Sequence, residues 1–144
     1  MVGTDIIEVA RIEKLIKEKG NKFLNKIFSD EEIEYCESKG PNKYQHYAGR
    51  FAAKEALYKV DAHFFNLIPY KSIEILTEPD LGKPLVFIPD KFFGPIHIAF
   101  LAKRCGYNNA NDYDGNRHST KIFNVSISHI KEYAIAVATT NLND

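Results

Sequence analysis

AGRFAAKEALYK, at residues 48–59, predicts a long helix near the centre of the chain. Alanine and leucine are strong helix formers, and no proline or glycine follows Arg50 in this stretch. The helix should run from about 43 to 61. A helical face centred on Phe51 carries several tyrosines and also Glu55. A carboxylate on an apolar face must be paired or must bind a metal, so the position of Glu55 asks for an explanation.

Helices are also predicted before this stretch. Apolar residues recur at helical spacing from Ile6 to Lys19, and Gly20 is typical of a helix end. Asp5 should lie where a short first strand meets this helix. The sequence Ser29-Asp30-Glu31-Glu32 is a capping-box pattern, which predicts a helix from about 30 to 38.

Strand patterns dominate the second half of the chain. Ile73 and Ile75 alternate with polar residues, turn-forming residues occupy 78–84, and an apolar run follows at 85–88, which together predict a hairpin. Residues 123–127 alternate again, and 134–138 are apolar, with a turn expected at about 130–132. Helices followed by antiparallel hairpins predict an α+β fold.

The composition is that of one folded domain. The chain has 144 residues, 44% of them hydrophobic, which is enough for a single core, so residues 1–144 are predicted to form one domain. Residues 93–105 are mostly apolar and predict a helix. The Asn- and Gly-rich segment at about 106–121 predicts a flexible insertion.

Charge and hydropathy exclude some classes of partner. The formal net charge is zero, which gives no case for nucleic acid or a membrane surface, and no apolar run has the length of a membrane span. The two cysteines are far apart and favour free thiols in a reducing compartment. We therefore expect the protein to lie in the cytoplasm, or in a plastid-type organelle if a targeting segment has been removed.

Asp5 and Glu55 are the first candidates for chemistry. Two carboxylates that meet repel each other unless a proton or a divalent cation lies between them. Because no His or Cys stands at ligand spacing, an oxygen-only site would favour magnesium, completed by water and substrate phosphates. The alternative, which spacing alone favours, is that Asp5 caps a helix and Glu55 pairs with Lys59 one turn later.

Several cations could bind phosphate oxygens. Arg50, Lys54 and Lys59 flank Glu55 on the same helix, and Lys83 lies in the hairpin turn. For each of them a solvated surface is the simpler explanation. His129, at the end of the strand VSISH, could contact a phosphate or a base, or could be an ordinary strand-end histidine.

The first helix and the residues after it are basic. Arg11 and Lys14, followed by Lys22 and Lys26, could receive an acidic protein partner. Interspersed glutamates make solubility the simpler explanation of this pattern.

GTDIIEVARI, FSDEE, AGRFAAKEALYK, GKP and VSISH, in this order, resemble the holo-[acyl-carrier-protein] synthase family. This is the small, bacterial-type branch of the 4′-phosphopantetheinyl transferases. The motifs span residues 3 to 138 apart from the segment at about 90–121. The resemblance implies an α+β fold, with a long helix packed on antiparallel strands, and a homotrimer whose active sites lie between subunits.

The resemblance also implies a reaction. Such an enzyme transfers the 4′-phosphopantetheine group of coenzyme A to a serine of apo acyl carrier protein in fatty-acid biosynthesis and releases 3′,5′-ADP. Asp5 and Glu55 match the family's magnesium ligands, with manganese as an alternative ion, and Lys59 matches its phosphate-contacting lysine. A metal-bound water or Glu55 itself could accept the serine proton.

The remaining matches concern coenzyme A and the carrier protein. Residues expected near the nucleotide are Arg50, Lys54, Gly82, Lys83, Pro84, Ser128 and His129. Residues expected to contact the carrier protein are Arg11, Lys14, Lys22 and Lys26.

The sequence departs from the family pattern after Lys59, where VDAHFFNLIPY replaces a glycine-containing loop. Two other functions stay open on the residues alone. One is a binding protein that keeps the fold and holds coenzyme A or a carrier protein without turnover. The other is a different magnesium-dependent phosphoryl-transfer enzyme.

Overall fold

The computed structural model describes residues 1–92, 118–119 and 123–140. Within them, helices occupy the first half of the chain and strands occupy its beginning and its second half. The helices are α1 (Val9–Lys19), α2 (Asn21–Ile27), α3 (Asp30–Glu37), α4 (Lys43–Val60) and α5 (Ala62–Phe65). The strands are β1 (Val2–Glu8), β2 (Glu74–Thr77), β3 (Pro84–Ile88), β4 (His118–Ser119), β5 (Phe123–His129) and β6 (Tyr133–Thr140).

The strands form two antiparallel sheets. The first has the order β1-β6-β5, so β1 and β5 are its outer strands, and the second has the order β2-β3-β4. The prediction of an α+β fold with a long helix on antiparallel strands is confirmed. Among the described residues, no helix is both long enough and apolar enough to cross a membrane.

Small residues let α4 lie close to the first sheet. The inward side chains of β6 are Ala134, Ala136 and Ala138, all essentially buried. A Cβ atom added to Gly3 would lie 2.0 Å from the carbonyl oxygen of Ala56, which is a backbone clash. The close contact between helix and sheet therefore requires a glycine at position 3.

The deepest face of α4 differs from the one centred on Phe51. Its fully buried residues are mostly small, among them Ala48, Ala52 and Ala56, while Phe51 and Glu55 are only half buried. Glu55 therefore lies beside the core, where a polar ligand can reach it, and not within the core.

The helix and hairpin predictions are largely confirmed. Ser29 and Glu32 form the expected capping box at the start of α3. The hairpin β2–β3 and the pair β5–β6 occur where the alternation placed them. The prediction that a helix begins at Ile6 is wrong, because β1 pairs with β6 as far as Glu8 and leaves the helix to begin at Val9.

Two predicted segments fall largely outside the described residues. The helix expected at 93–105 lies entirely outside them. Of the insertion expected at about 106–121, the structure describes only β4, which pairs with β3.

Candidate active site

Lys59, at the C-terminal end of α4, reaches across to β1. Its ammonium donates to the Oδ1 atom of Asp5 at 3.0 Å and to the carbonyl oxygen of Thr4 at 2.8 Å. Both proposed structural roles are therefore wrong. Asp5 lies within a strand and does not cap α1, and the ion pair of Lys59 is made with Asp5 and not with Glu55.

Glu55 is held by Tyr70, a residue that the sequence analysis did not select. The phenol of Tyr70 donates a hydrogen bond to Oε1 of Glu55. Burial, this hydrogen bond and the charges of Glu55 and Asp5 raise the pKa of Tyr70 above its ordinary value. The phenol is thus a neutral donor, and the carboxylates of Glu55 and Asp5 both lie close enough to act on it.

The donor set at this end of α4 suits a magnesium ion. Asp5 and Glu55 offer carboxylate oxygens, and among the described residues no group of three or more His, Cys, Asp or Glu could form a complete metal cage. Magnesium usually takes one or two carboxylates and fills its remaining positions with water and phosphate oxygens. The ammonium of Lys59 balances the charge of Asp5 in this arrangement.

Lys54 lies in the core and not in a nucleotide pocket. Its side chain is fully buried, and its ammonium donates to Oε2 of Glu32 at 2.7 Å, to the carbonyl oxygen of Ile27 at 2.7 Å and to that of Tyr70 at 3.0 Å. An ammonium has three protons, so these contacts use all of its donors. Lys54 therefore has none left for coenzyme A, contrary to the expectation from the motif.

The carboxylate that pairs with Lys54, that of Glu32, connects three elements of the fold. One carboxylate oxygen accepts from the backbone N–H of Ser29 at 2.8 Å as well as from Lys54, and the other accepts from the N–H of Ile75 at 2.9 Å. The carboxylate thus joins the start of α3 to α4 and β2.

A cavity of about 230 Å³ lies on the other side of α4. It opens between α4, the end of β5 and the hairpin β2–β3. The residues that line it are Tyr35, His46, Gly49, Arg50, Thr77, Gly82, Pro84, Ile127 and His129. Arg50, Gly82, Pro84 and His129 were expected near one nucleotide, and the structure brings them together.

Arg50 is the charged group of this cavity. It is 4% exposed, donates from Nη2 to the hydroxyl of Thr77 at 3.0 Å, and lies over the ring of Tyr35 with 4.0 Å to its centroid. Its Nε has no hydrogen-bond partner in the part of the chain that the structure describes. A buried guanidinium with an unused donor favours binding of an anion.

Two histidines continue the cavity wall. The rings of His46 and His129 are in edge contact with 4.9 Å between centroids, and His129 Nδ1 lies 3.1 Å from Oε1 of Gln45. Burial and the nearby charges of His129 and Arg50 lower the pKa of His46 to about 4. His46 is therefore neutral near pH 7.

His46 could have been found from the sequence, because it precedes Arg50 by one helical turn and shares its face. Tyr35 and Thr77 come from α3 and β2, and no local pattern links them to Arg50. Only the tertiary structure identifies them.

The other expected nucleotide contacts lie apart from this cavity. Ser128 is exposed on the face of the sheet opposite to His129, and Lys83 is exposed in the β2–β3 turn. The four basic residues expected to meet the carrier protein are all exposed on α1 and α2: Arg11, Lys14, Lys22 and Lys26.

The comparisons with known proteins point in one direction. The family model for the 4′-phosphopantetheinyl transferase superfamily matches residues 1–138. A curated relative from Ruminiclostridium cellulolyticum, named holo-[acyl-carrier-protein] synthase, is 41% identical over 148 residues and is matched over 93% of its length and 100% of this chain. The relative of the same name from Chlamydia caviae is 38% identical, with 94% of it and 96% of this chain covered.

Solved structures of holo-[acyl-carrier-protein] synthases are also similar to this chain. The holo-[acyl-carrier-protein] synthase of Helicobacter pylori in complex with coenzyme A is similar with a TM-score of 0.67 and 29% identity, covering 98% of this chain and 100% of that one. The Bacillus anthracis enzyme in complex with CoA (3′,5′-ADP) has a TM-score of 0.63 and 29% identity, covering 95% and 91%.

The assignment of Lys54 to the core predicts a large loss of stability for Lys54→Met. The substitution leaves the buried carboxylate of Glu32 without its counter-ion, which should lower the free energy of unfolding by about 3–5 kcal/mol. Lys43→Met is the matched control, since Lys43 lies on the same helix and pairs with Glu37 near the surface at 3.1 Å. Its cost should be below about 1 kcal/mol in urea denaturation. Equal costs for both variants would contradict the assignment.

Proposed function

Because the chain belongs to the 4′-phosphopantetheinyl transferase superfamily, we propose that it acts as a holo-[acyl-carrier-protein] synthase. It transfers the 4′-phosphopantetheine group of coenzyme A to a serine of apo acyl carrier protein and releases 3′,5′-ADP, in fatty-acid biosynthesis. The observation that carries the proposal is the ion pair between Asp5 and Lys59, which lies one turn after Glu55 on α4, in a chain that matches the family over residues 1–138.

We propose that Asp5 and Glu55 hold a magnesium ion, or manganese in its place. When bound, the ion would supply Lewis-acid neutralisation of the phosphate oxygens. Lys59 lies against Asp5 and is half exposed, so its ammonium is placed to bind a pyrophosphate oxygen and to balance the charge that develops during transfer. The carboxylate of Glu55 also remains one candidate acceptor for the serine proton.

We propose that the cavity beside Arg50 receives a phosphate from the nucleotide part of coenzyme A. The support is the Arg50 side chain in the cavity wall, the neighbouring rings of His46 and His129, and the two relatives of known structure in complex with coenzyme A or 3′,5′-ADP. Gly82 and Pro84 form the opposite wall. Lys83 and Ser128 are both exposed and do not line this cavity, so we propose that they contact coenzyme A outside it.

We propose that the protein is a homotrimer with active sites between subunits. The outer face of the first sheet exposes a group of apolar side chains, among them Ile6, Tyr133, Ile135 and Val137, which are 63%, 46%, 43% and 37% exposed. An apolar patch of this kind on a sheet favours a protein interface. Ser128 lies on the same face and would then approach a neighbouring subunit.

We propose that α1 and α2 receive the acyl carrier protein. Arg11 and Lys14 on α1 and Lys22 and Lys26 on α2 are exposed, and opposite charges across an interface speed association and orient the partner. Acyl carrier protein is the acidic partner that this function requires.

Transfer can be measured directly as the intact mass of apo acyl carrier protein after incubation with this protein, coenzyme A and magnesium. The mass should rise by one phosphopantetheine, and a chelator should prevent the rise. Glu55→Gln removes a proposed metal ligand and should lower kcat/KM by at least about 100-fold.

Glu34→Gln, on the exposed surface of α3, is the matched control for Glu55→Gln and should retain activity. If coenzyme A binds but no tested carrier protein gains mass, the protein is a binding protein and not a transferase. Release of another product in place of 3′,5′-ADP would indicate a different phosphoryl-transfer enzyme.

Reversal of charge on the proposed carrier-protein surface should weaken association with acyl carrier protein and leave coenzyme A binding unchanged. Arg11→Glu is expected to lower kcat/KM for acyl carrier protein about tenfold at low salt, with less effect at high salt, because the attraction is screened. The affinity for coenzyme A should be unchanged in calorimetry. Lys91→Glu, at an exposed position after β3, is the control; an equal loss in both variants would argue against α1 as the docking surface.

A charge on the outer face of the first sheet should break the proposed trimer. By light scattering, the unmodified protein should have three times the chain mass of 16.4 kDa, and Ile135→Lys should shift it towards a single chain. Burying an unpaired ammonium at an interface is strongly unfavourable. Leu67→Lys is the control, since Leu67 is 75% exposed and lies away from this face. A monomeric unmodified protein would refute the trimer.

A further inference from the structure

Tyr70 makes its hydrogen bond to the carboxylate that the proposed metal site needs. Its hydroxyl donates to Oε1 of Glu55, which leaves Oε2 free of this contact. We infer that Tyr70 is a positioning residue, which holds one oxygen of Glu55 so that the other faces the divalent cation beside Asp5. The inference rests on the proposed function, in which Glu55 is a metal ligand.

The main chain of Tyr70 is fixed to α4. Its carbonyl oxygen accepts a hydrogen bond of 3.0 Å from Lys54, the residue directly before Glu55. Lys54 is in turn held by Glu32 and by the carbonyl oxygen of Ile27. The backbone that carries the phenol is therefore tied to the same helix as the carboxylate it contacts.

The ring of Tyr70 is fixed to α4 as well. It stacks on Phe51 with 6.3 Å between centroids and 21° between planes, and Phe51 lies one helical turn before Glu55. Contacts with Phe51, Lys54 and Glu55 thus define the ring, the backbone and the hydroxyl from one helix. A side chain with this many fixed points has little freedom to move away from its hydrogen-bond partner.

A neutral phenol is suited to this role. The phenol is an uncharged hydrogen-bond donor, so Tyr70 donates to Oε1 of Glu55 and does not repel the carboxylate. Hydrogen bonds from such outer residues orient metal-binding carboxylates, and their removal typically costs about 10- to 100-fold in metal affinity or activity. The sequence analysis did not predict this contact, because Tyr70 follows the VDAHFFNLIP segment and is far from Glu55 along the chain.

Tyr70→Phe tests the inference because it removes one oxygen and keeps the stacked ring and the backbone carbonyl. We expect the dissociation constant for Mn²⁺, measured by electron paramagnetic resonance in the presence of coenzyme A, to rise about tenfold. We also expect the magnesium concentration for half-maximal transfer to rise by a similar factor. At saturating magnesium, kcat should return close to that of the unmodified protein.

Tyr58→Phe is the matched control. Tyr58 lies on α4 near Tyr70, and its hydroxyl donates to Oδ1 of Asn66 at 3.0 Å, not to a proposed metal ligand. Its Mn²⁺ affinity should match that of the unmodified protein. A thermal unfolding midpoint for each variant shows that the fold is retained.

Unchanged or tighter Mn²⁺ binding by Tyr70→Phe would overturn the inference. A fall in kcat for Tyr70→Phe that does not recover at saturating magnesium would also overturn the inference. These outcomes differ from failure of the proposed function, which would appear as absence of transfer by the unmodified protein or as full activity of Glu55→Gln.

Discussion

The buried ion pair between Lys54 and Glu32 is the contact on which the arrangement of the site depends. Burying two charges is costly, and the cost is offset only where their hydrogen bonds are complete. Here Glu32 accepts from Ser29 and Ile75, and Lys54 donates to Ile27 and Tyr70. One pair therefore sets α3, β2 and the segment before β2 against α4. Glu55, the next residue of the helix, takes its position from the same arrangement.

A second constraint brings β1 to the helix. Gly3 has no Cβ to meet the carbonyl oxygen of Ala56, and the alanines of β6 keep the layer between strand and helix thin. Asp5 lies two residues after Gly3 and so faces the same side of the strand. The close approach of β1 to α4 at Gly3 therefore also brings Asp5 within reach of Lys59, which lies about one turn after Ala56 on α4. The small residues that let β1 approach α4 therefore also position the ion pair of the proposed site.

The sequence predicted the features that depend on neighbouring residues. The long helix, the capping box at Ser29 and the strand pairs follow from spacing and turn residues, and the family resemblance that the motifs carry is confirmed by the comparisons. It misplaced the start of α1, because pairing of β1 with β6 outweighs the helical spacing of Ile6. The motif could not separate Lys54 from Lys59, since burial against Glu32 is a tertiary property. Tyr70 and Tyr35 were missed for the same reason.

The two candidate phosphate-binding groups lie on different sides of one protomer, and this bears on the assembly. Arg50 and Lys59 are nine positions apart on α4, which at about 100° per residue directs them to opposite sides of the helix. Asp5 lies on one outer strand of the first sheet and His129 on the other, and these two strands are about 10 Å apart across two strand spacings. Nine residues of helix also separate Arg50 and Lys59 by about 14 Å along the axis, which is farther than the single ribose that links the pyrophosphate of coenzyme A to its 3′-phosphate. This separation supports the proposed trimer, in which one coenzyme A would contact Lys59 of one copy and Arg50 of a neighbouring copy.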